Sequence, residues 1–113
     1  MGSTEATVRR LALSLPEATE EPHHDMTSFR VRGKIFATVP SGADRVHIFI
    51  APEDFAAYCA EYPGQVDELL WGAKLRGCRV HLATARAALL RELLTEAWRR
   101  RAPASLVTQL DQT

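Results

Sequence analysis

Val8, Leu11, Ala12 and Leu15 recur at helical spacing behind Ser3-Thr4-Glu5, a hydroxyl cap with an acid in the first turn. The pattern predicts a helix that Pro16 ends, because the residue before a proline is pushed out of the α region. Residues 16–27 hold two prolines, four acids and two histidines and read as a loop. The period then drops to two. Ser28-Phe29-Arg30-Val31-Arg32 alternates as a strand, Gly33-Lys34 is a tight-turn signal, and Ile35 to Val39 returns antiparallel. Pro40-Ser41-Gly42-Ala43-Asp44 is a second turn, and Arg45 to Ile50 a third strand of the same meander.

Pro52 suits a first helical position, and Glu53 and Asp54 favour the positive end of the helix dipole. Phe55, Ala56, Tyr58 and Cys59 form that helix's apolar side, and Tyr62-Pro63-Gly64 stops it. Val66 to Trp71 is compatible with a short strand, and Cys78 to Leu82 is a clearer one. Thr84 is placed to cap a long helix with the stripe Leu89, Leu90, Leu93, Leu94, Ala97 and Trp98, in which Glu96 and Arg100 pair at i,i+4. Pro103 breaks it, and Ser105 to Leu110 adds a short helical turn in a C-terminal tail, 102–113. The predicted class is α+β, ordered α-β-β-β-α-β-β-α, an antiparallel sheet with helices on one face, in a single domain over 1–113.

Side chains alternate across a strand. The expected helix-facing sets are Phe29 and Val31; Ile35, Ala37 and Val39; Val46, Ile48 and Ile50; and Cys78, Val80 and Leu82. The opposite face then carries Arg30, Arg32, Phe36, Thr38, His47, Phe49, Arg79 and His81, a mixture of cations and rings. Arginine binds phosphate and flat rings stack on bases, so such a face is chemically able to hold nucleic acid. Solvated cross-strand packing of Arg beside Phe is the plainer account. Arg45-Val46-His47-Ile48 also echoes in Arg79-Val80-His81-Leu82, each copy a strand followed by a helix.

At 113 residues, 46% hydrophobic and 25% charged, the chain is one domain long and needs no staples. Fourteen basic residues balance fourteen acidic ones, which argues against a polyanion binder acting through bulk charge. The charge is unevenly placed, however. Glu17, Glu20, Glu21 and Asp25 cluster early; Lys74, Arg76, Arg79 and Arg99-Arg100-Arg101 come late, so a partner can still meet a local patch. No apolar run approaches the ~20 residues of a membrane span and no signal-peptide pattern opens the chain, so a cytoplasmic location is expected. Cys59 and Cys78 lack metal-motif spacing and read as reduced core thiols.

Chemistry is sparse. His23-His24-Asp25 is the most enzyme-like fragment, yet adjacent histidines seldom hold one ion without a third ligand. No nucleophile elbow, dinucleotide loop or phosphate loop is present. No catalytic residue, metal or cofactor is expected. Trp71 and Trp98 read as packing anchors.

The run Ser28 to Ala37, S-F-R-V-R-G-K-I-F-A, resembles the MmcQ/YjbR family. Leu11 to Pro16, Glu20 to His24, Trp71-Gly72, the later R-V-H-L strand, Leu93 to Trp98 and Ala102 to Leu106 fit the same pattern; Gly77-Cys78 stands where the family often has Gly-Trp. The resemblance implies the antiparallel α+β fold already read, akin to secretion-chaperone folds, and no catalytic residues. It also implies the DNA-binding label, which rests on likeness to a phage factor's double-wing domain. The expected function is therefore a DNA-binding or regulatory domain. Arg30, Arg32, Lys34, Arg45, Arg79 and His81 are the candidate phosphate contacts, and Phe36 and Phe49 the stacking rings. The alternative is a protein- or small-molecule-binding module, marked by a concave pocket. Monomer and homodimer both remain open.

Overall fold

The first helix, α1 (Glu5–Leu13), starts at Thr4, whose hydroxyl accepts from the Thr7 amide while the Thr7 hydroxyl accepts from the Thr4 amide. The structure, a computed structural model, describes residues 2–40, 42, 44–71 and 73–112, with only the backbone of Trp71. Six strands follow: β1 (Ala18–His23), β2 (Met26–Val31), β3 (Lys34–Val39), β4 (Arg45–Ile48), β5 (Val66–Trp71) and β6 (Lys74–His81). Between β4 and β5 lies α2 (Pro52–Glu61), and after β6 come α3 (Ala87–Arg101) and α4 (Ala104–Asp111). The sheet is antiparallel throughout, in the order β1-β2-β3-β4-β6-β5. The α+β class, the meander and the helices against one face are as expected. No helix among the described residues is long and apolar enough to cross a membrane.

Several boundaries differ from the sequence pattern. Part of the acidic loop before residue 26 is the edge strand β1, paired from Ala18↔Val31 to His23↔Met26. Its residues are mostly exposed, so apolar alternation gives no sign of it, and an edge strand tolerates Pro22. The turn between β2 and β3 is Arg32-Gly33, one residue earlier than expected, with φ values of 51° and 81°. Two successive positive φ values are what a two-residue hairpin needs to match the strand twist. Thr84 does not cap α3; its hydroxyl donates to the His81 carbonyl, and Arg86 is the N-cap. Arg100 does not pair with Glu96. Its guanidinium donates to the Phe49 and Ile50 carbonyls at 3.2 Å each, while Glu96 approaches Arg99 instead. The tail is a helix, α4, with Leu106 buried and Asp111 bound to Arg99 at 2.6 Å. Ser41 and Ala43 of the second turn, Gly72 and the Trp71 side chain lie outside the described residues.

The core lies between the sheet and α1 and α3, with α2 packed beside them on β5 and β6. Trp98 is fully buried and its indole Nε1 donates to the Pro16 carbonyl at 3.0 Å. Cys78 is buried in the core, where burial pushes its thiol up to about 12; Cys59 is partly exposed, and both are free thiols. The R-V-H echo has a structural counterpart. β4 and β6 are neighbours paired as Arg45↔His81, Val46↔Val80 and His47↔Arg79. Running the same triplet antiparallel to itself places each Arg beside a His on one face and both valines in the core.

Two bulges shape the remaining face. Phe29 pairs with Ala37 but Arg30 with Ile35, which leaves Phe36 as an extra residue in β3. Phe36 and Ala37 therefore both reach the core, each fully buried, and Ile35 is turned to the other side of the sheet. In β6, Leu69 pairs with Gly77 but Leu70 with Leu75, so Arg76 is the extra residue.

Candidate functional site: a cationic cleft

β4 has only four residues, between a six-residue β3 and an eight-residue β6. After Ile48 the chain makes one more sheet bond, Phe49 N–H to the Phe36 carbonyl, and turns away toward α2. The early parts of β3 and β6 thus run past the end of β4, and the C-terminal turn of α3 closes the gap between them. A cleft of ≈ 430 Å³ occupies this place. Ile35, Thr38, His47 and Phe49 form its floor; His23 and Met26 from the β1–β2 hairpin stand on one side, and Lys74, Leu75 and Arg76 on the other. The bulge in β6 breaks strict alternation, which lets these three successive residues all reach the cleft. Pro52, Arg100 and Arg101 complete the lining.

The electrostatics are one-sided. Lys74, Arg76, Arg100 and Arg101 line the cleft, and no carboxylate does so among the described residues. Arg101 has its pKa lowered, first by burial and then by repulsion from Arg100 and Arg76, so these guanidiniums are close enough to repel. Its Nε is buried without a hydrogen-bond partner among the described residues. The opposite charge is gathered elsewhere. Asp54, Glu61, Glu92 and Glu96 line a groove between α2 and α3 with Tyr58, whose phenol is pushed up to about 12 by burial and then by the charges of Glu92, Glu96 and Asp54. The zero net charge conceals two local regions of opposite sign.

The residues singled out from the sequence are dispersed. Phe36 is fully buried in the core, a correction to its expected place beside Phe49; the cause is the bulge in β3. Ile35 takes the place expected of Phe36. Phe49 lines the cleft but is only 8% exposed, so no paired patch of exposed phenylalanine exists on the described surface. Arg32 sits in the β2–β3 turn and not on a sheet face, bound in a two-pronged pair to Glu17 at 2.6 and 3.1 Å. Lys34 is exposed beside it. Arg30 bonds Ser28 Oγ at 3.0 Å, Arg45 bonds Asp44 at 2.9 Å, and His81 bonds Asp67 at 2.5 Å. Arg79 lies across from His47 and Asp67. Only Phe49 of the eight lines the cleft. The cleft cations carried one legible signal, the late basic clusters at 74–79 and 99–101.

A model of the YjbR family matches residues 13–100. The chain belongs to the YjbR family. This YjbR domain also matches the solved structure of Deinococcus radiodurans protein DR2400, whose domain is described as DUF419. The TM-score is 0.70 at 23% identity, over 85% of this chain and 76% of that one, a likeness of fold. No curated protein matches the chain in sequence.

His47 links this YjbR domain's cleft to pH. Burial, then the charges of Arg45 and Arg79, lower its pKa from the ordinary 6.5. The unfolded chain therefore binds this proton more tightly than the folded one. The contribution of neutral His47 to stability is complete above the ordinary pKa and is lost as pH falls below it, until the folded-state value is passed. Between about pH 7 and about pH 5, wild type is expected to lose more stability in urea melts than His47→Gln. Equal losses would clear His47 of this role.

Proposed function

We propose that this YjbR domain is a non-enzymatic nucleic-acid-binding domain that grips phosphates in the cleft at the end of β4. One observation carries the reading: Lys74, Arg76, Arg100 and Arg101 converge on a single concavity whose described lining has no carboxylate. Separated from the acidic groove, this patch attracts a polyanion although the chain as a whole is neutral. The lining supports a binding role over a catalytic one, since Thr38 is its one described hydroxyl, 3% exposed, and the described lining holds neither thiol nor carboxylate. Arg79, opposite His47 on the same side of the sheet, extends the cationic ground. The interface is thus moved from the expected strand arginines to the wall and back of the cleft.

The test is fluorescence anisotropy of labelled single-stranded and duplex DNA across a salt series. Binding at low salt is expected, with a log–log slope of roughly −3 for about four phosphate contacts. The pair Lys74→Glu with Arg101→Glu should weaken it at least about tenfold, while Arg32→Glu should change it little. No binding at low salt would end the nucleic-acid reading. The concavity of the site favours the second reading, a small anionic ligand, which the same titrations with unlabelled competitors separate.

A further inference from the structure

The cleft is not only cationic. Ile35 and Phe49 of its floor and Leu75 of its side give it an apolar part, and the guanidiniums are gathered at one end, where the last turn of α3 meets the chain leaving β4. A phosphate backbone tracked by cations alone has no use for such a part, and a duplex is too broad to enter a cavity of ≈ 430 Å³. That volume lies in the range of sites that enclose a small organic molecule. A ligand that satisfies both halves has a compact apolar or flat part joined to a multiply charged anion.

We infer that the cleft takes one nucleoside phosphate unit, its base against Ile35, Phe49 and Leu75 and its phosphate at Arg100 and Arg101. The inference rests on the anionic-cleft reading above and specifies the unit that enters. Three features of the cationic end point to phosphate. Arg100 is held in place by the Phe49 and Ile50 carbonyls, so its position is preset by the backbone. Arg101 lines the same end within reach of the charges of Arg100 and Arg76, so three guanidiniums share one small volume there. Guanidiniums repelling one another in the free protein are relieved by a dianion more than by a single carboxylate, and their planar forks match phosphate oxygens in pairs. On the floor, base stacking and apolar contact tolerate different bases because each has a flat face.

The experiment is calorimetric titration of the intact chain with adenosine 5′-monophosphate, thymidine 5′-monophosphate, adenosine and inorganic phosphate. Both monophosphates are expected to bind at least about tenfold more tightly than adenosine or phosphate, since each half alone forfeits the other's contacts. Arg101→Gln should cost the monophosphates about tenfold while leaving adenosine unchanged. Lys74→Gln serves as a second variant should Arg101→Gln lower the thermal midpoint. Phosphate binding as well as the monophosphates would overturn the base site, and adenosine binding as well would overturn the phosphate site. An oligothymidylate that binds more tightly per nucleotide than the monomer identifies the unit as part of a strand; the reverse identifies a free nucleotide. Strand binding that the monophosphates fail to compete overturns this inference and leaves the nucleic-acid reading standing. Monophosphate binding without strand binding does the opposite.

Discussion

Trp98→Ala is expected to remove about 3–5 kcal/mol of folding stability. Trp98 is a large side chain with no exposed surface, on the face of α3 that meets α1 and the sheet. Its removal leaves a cavity that the surrounding elements close only in part, so the loss exceeds the transfer energy of the ring. It also removes the indole N–H from the Pro16 carbonyl, the bond that ties the end of the α1 segment to a residue 82 positions away. Trp98→Phe keeps most of the packing and should cost about 1–2 kcal/mol, chiefly through that carbonyl. A domain of this size has about 5–15 kcal/mol in all, so the alanine variant should unfold on the order of 15 °C lower in a calorimetric scan. A loss below about 1 kcal/mol would show that Trp98 is not the anchor of α3.

Gly77→Ala should cost about 3 kcal/mol and damage the cleft at the same time. Here β6 passes the end of β4 so closely that a β-carbon would lie 2.3 Å from the Ile48 carbonyl oxygen and 2.9 Å from the Phe49 Cα. Both obstacles are backbone, so no flexible side chain can swing away. The segment that must shift carries Phe49 on the cleft floor and the carbonyls that hold Arg100. The folded fraction of this variant should therefore bind oligonucleotide less tightly than wild type. Gly33→Ala is the contrasting substitution. Gly33 has a φ of 81° but nothing within 4 Å of an added β-carbon, so it should cost only about 1 kcal/mol of backbone strain and leave binding alone. Urea unfolding of the two variants checks the difference. Equal losses would mean that conformational strain, and not the close approach of two strands, sets the requirement at Gly77.

Much of the fold was legible in local pattern. Helical spacing places α1 and α3, period-two alternation places β2, β3, β4 and β6, and the proline with following acids marks the start of α2. β1 was missed because an exposed edge strand of glutamates carries no alternation. The cleft was less legible. Alternation assigns Ile35 to the helix face and Phe36 to the other, and both are apolar, so nothing in their chemistry reveals the slip. The bulge arises from how β3 registers against β2, and burying the larger ring in the core stabilises that choice by about 2 kcal/mol. The arginines of the strand pattern look available in sequence, but Arg32 meets Glu17 and Arg45 meets Asp44 once folded.

By itself the sequence determined the element types, the α+β class, the main core residues and the family, because periodicity and turn chemistry are local and survive any tertiary arrangement. Tertiary structure decided which cations share a site. Lys74, Arg76, Arg100 and Arg101 come from two distant segments, and the cleft exists only because β4 stops short between two longer strands and the end of α3 closes the gap. It also decided the field of a neutral chain. Charges that cancel in a count act separately once folding gathers basic side chains at the end of β4 and acidic ones between α2 and α3.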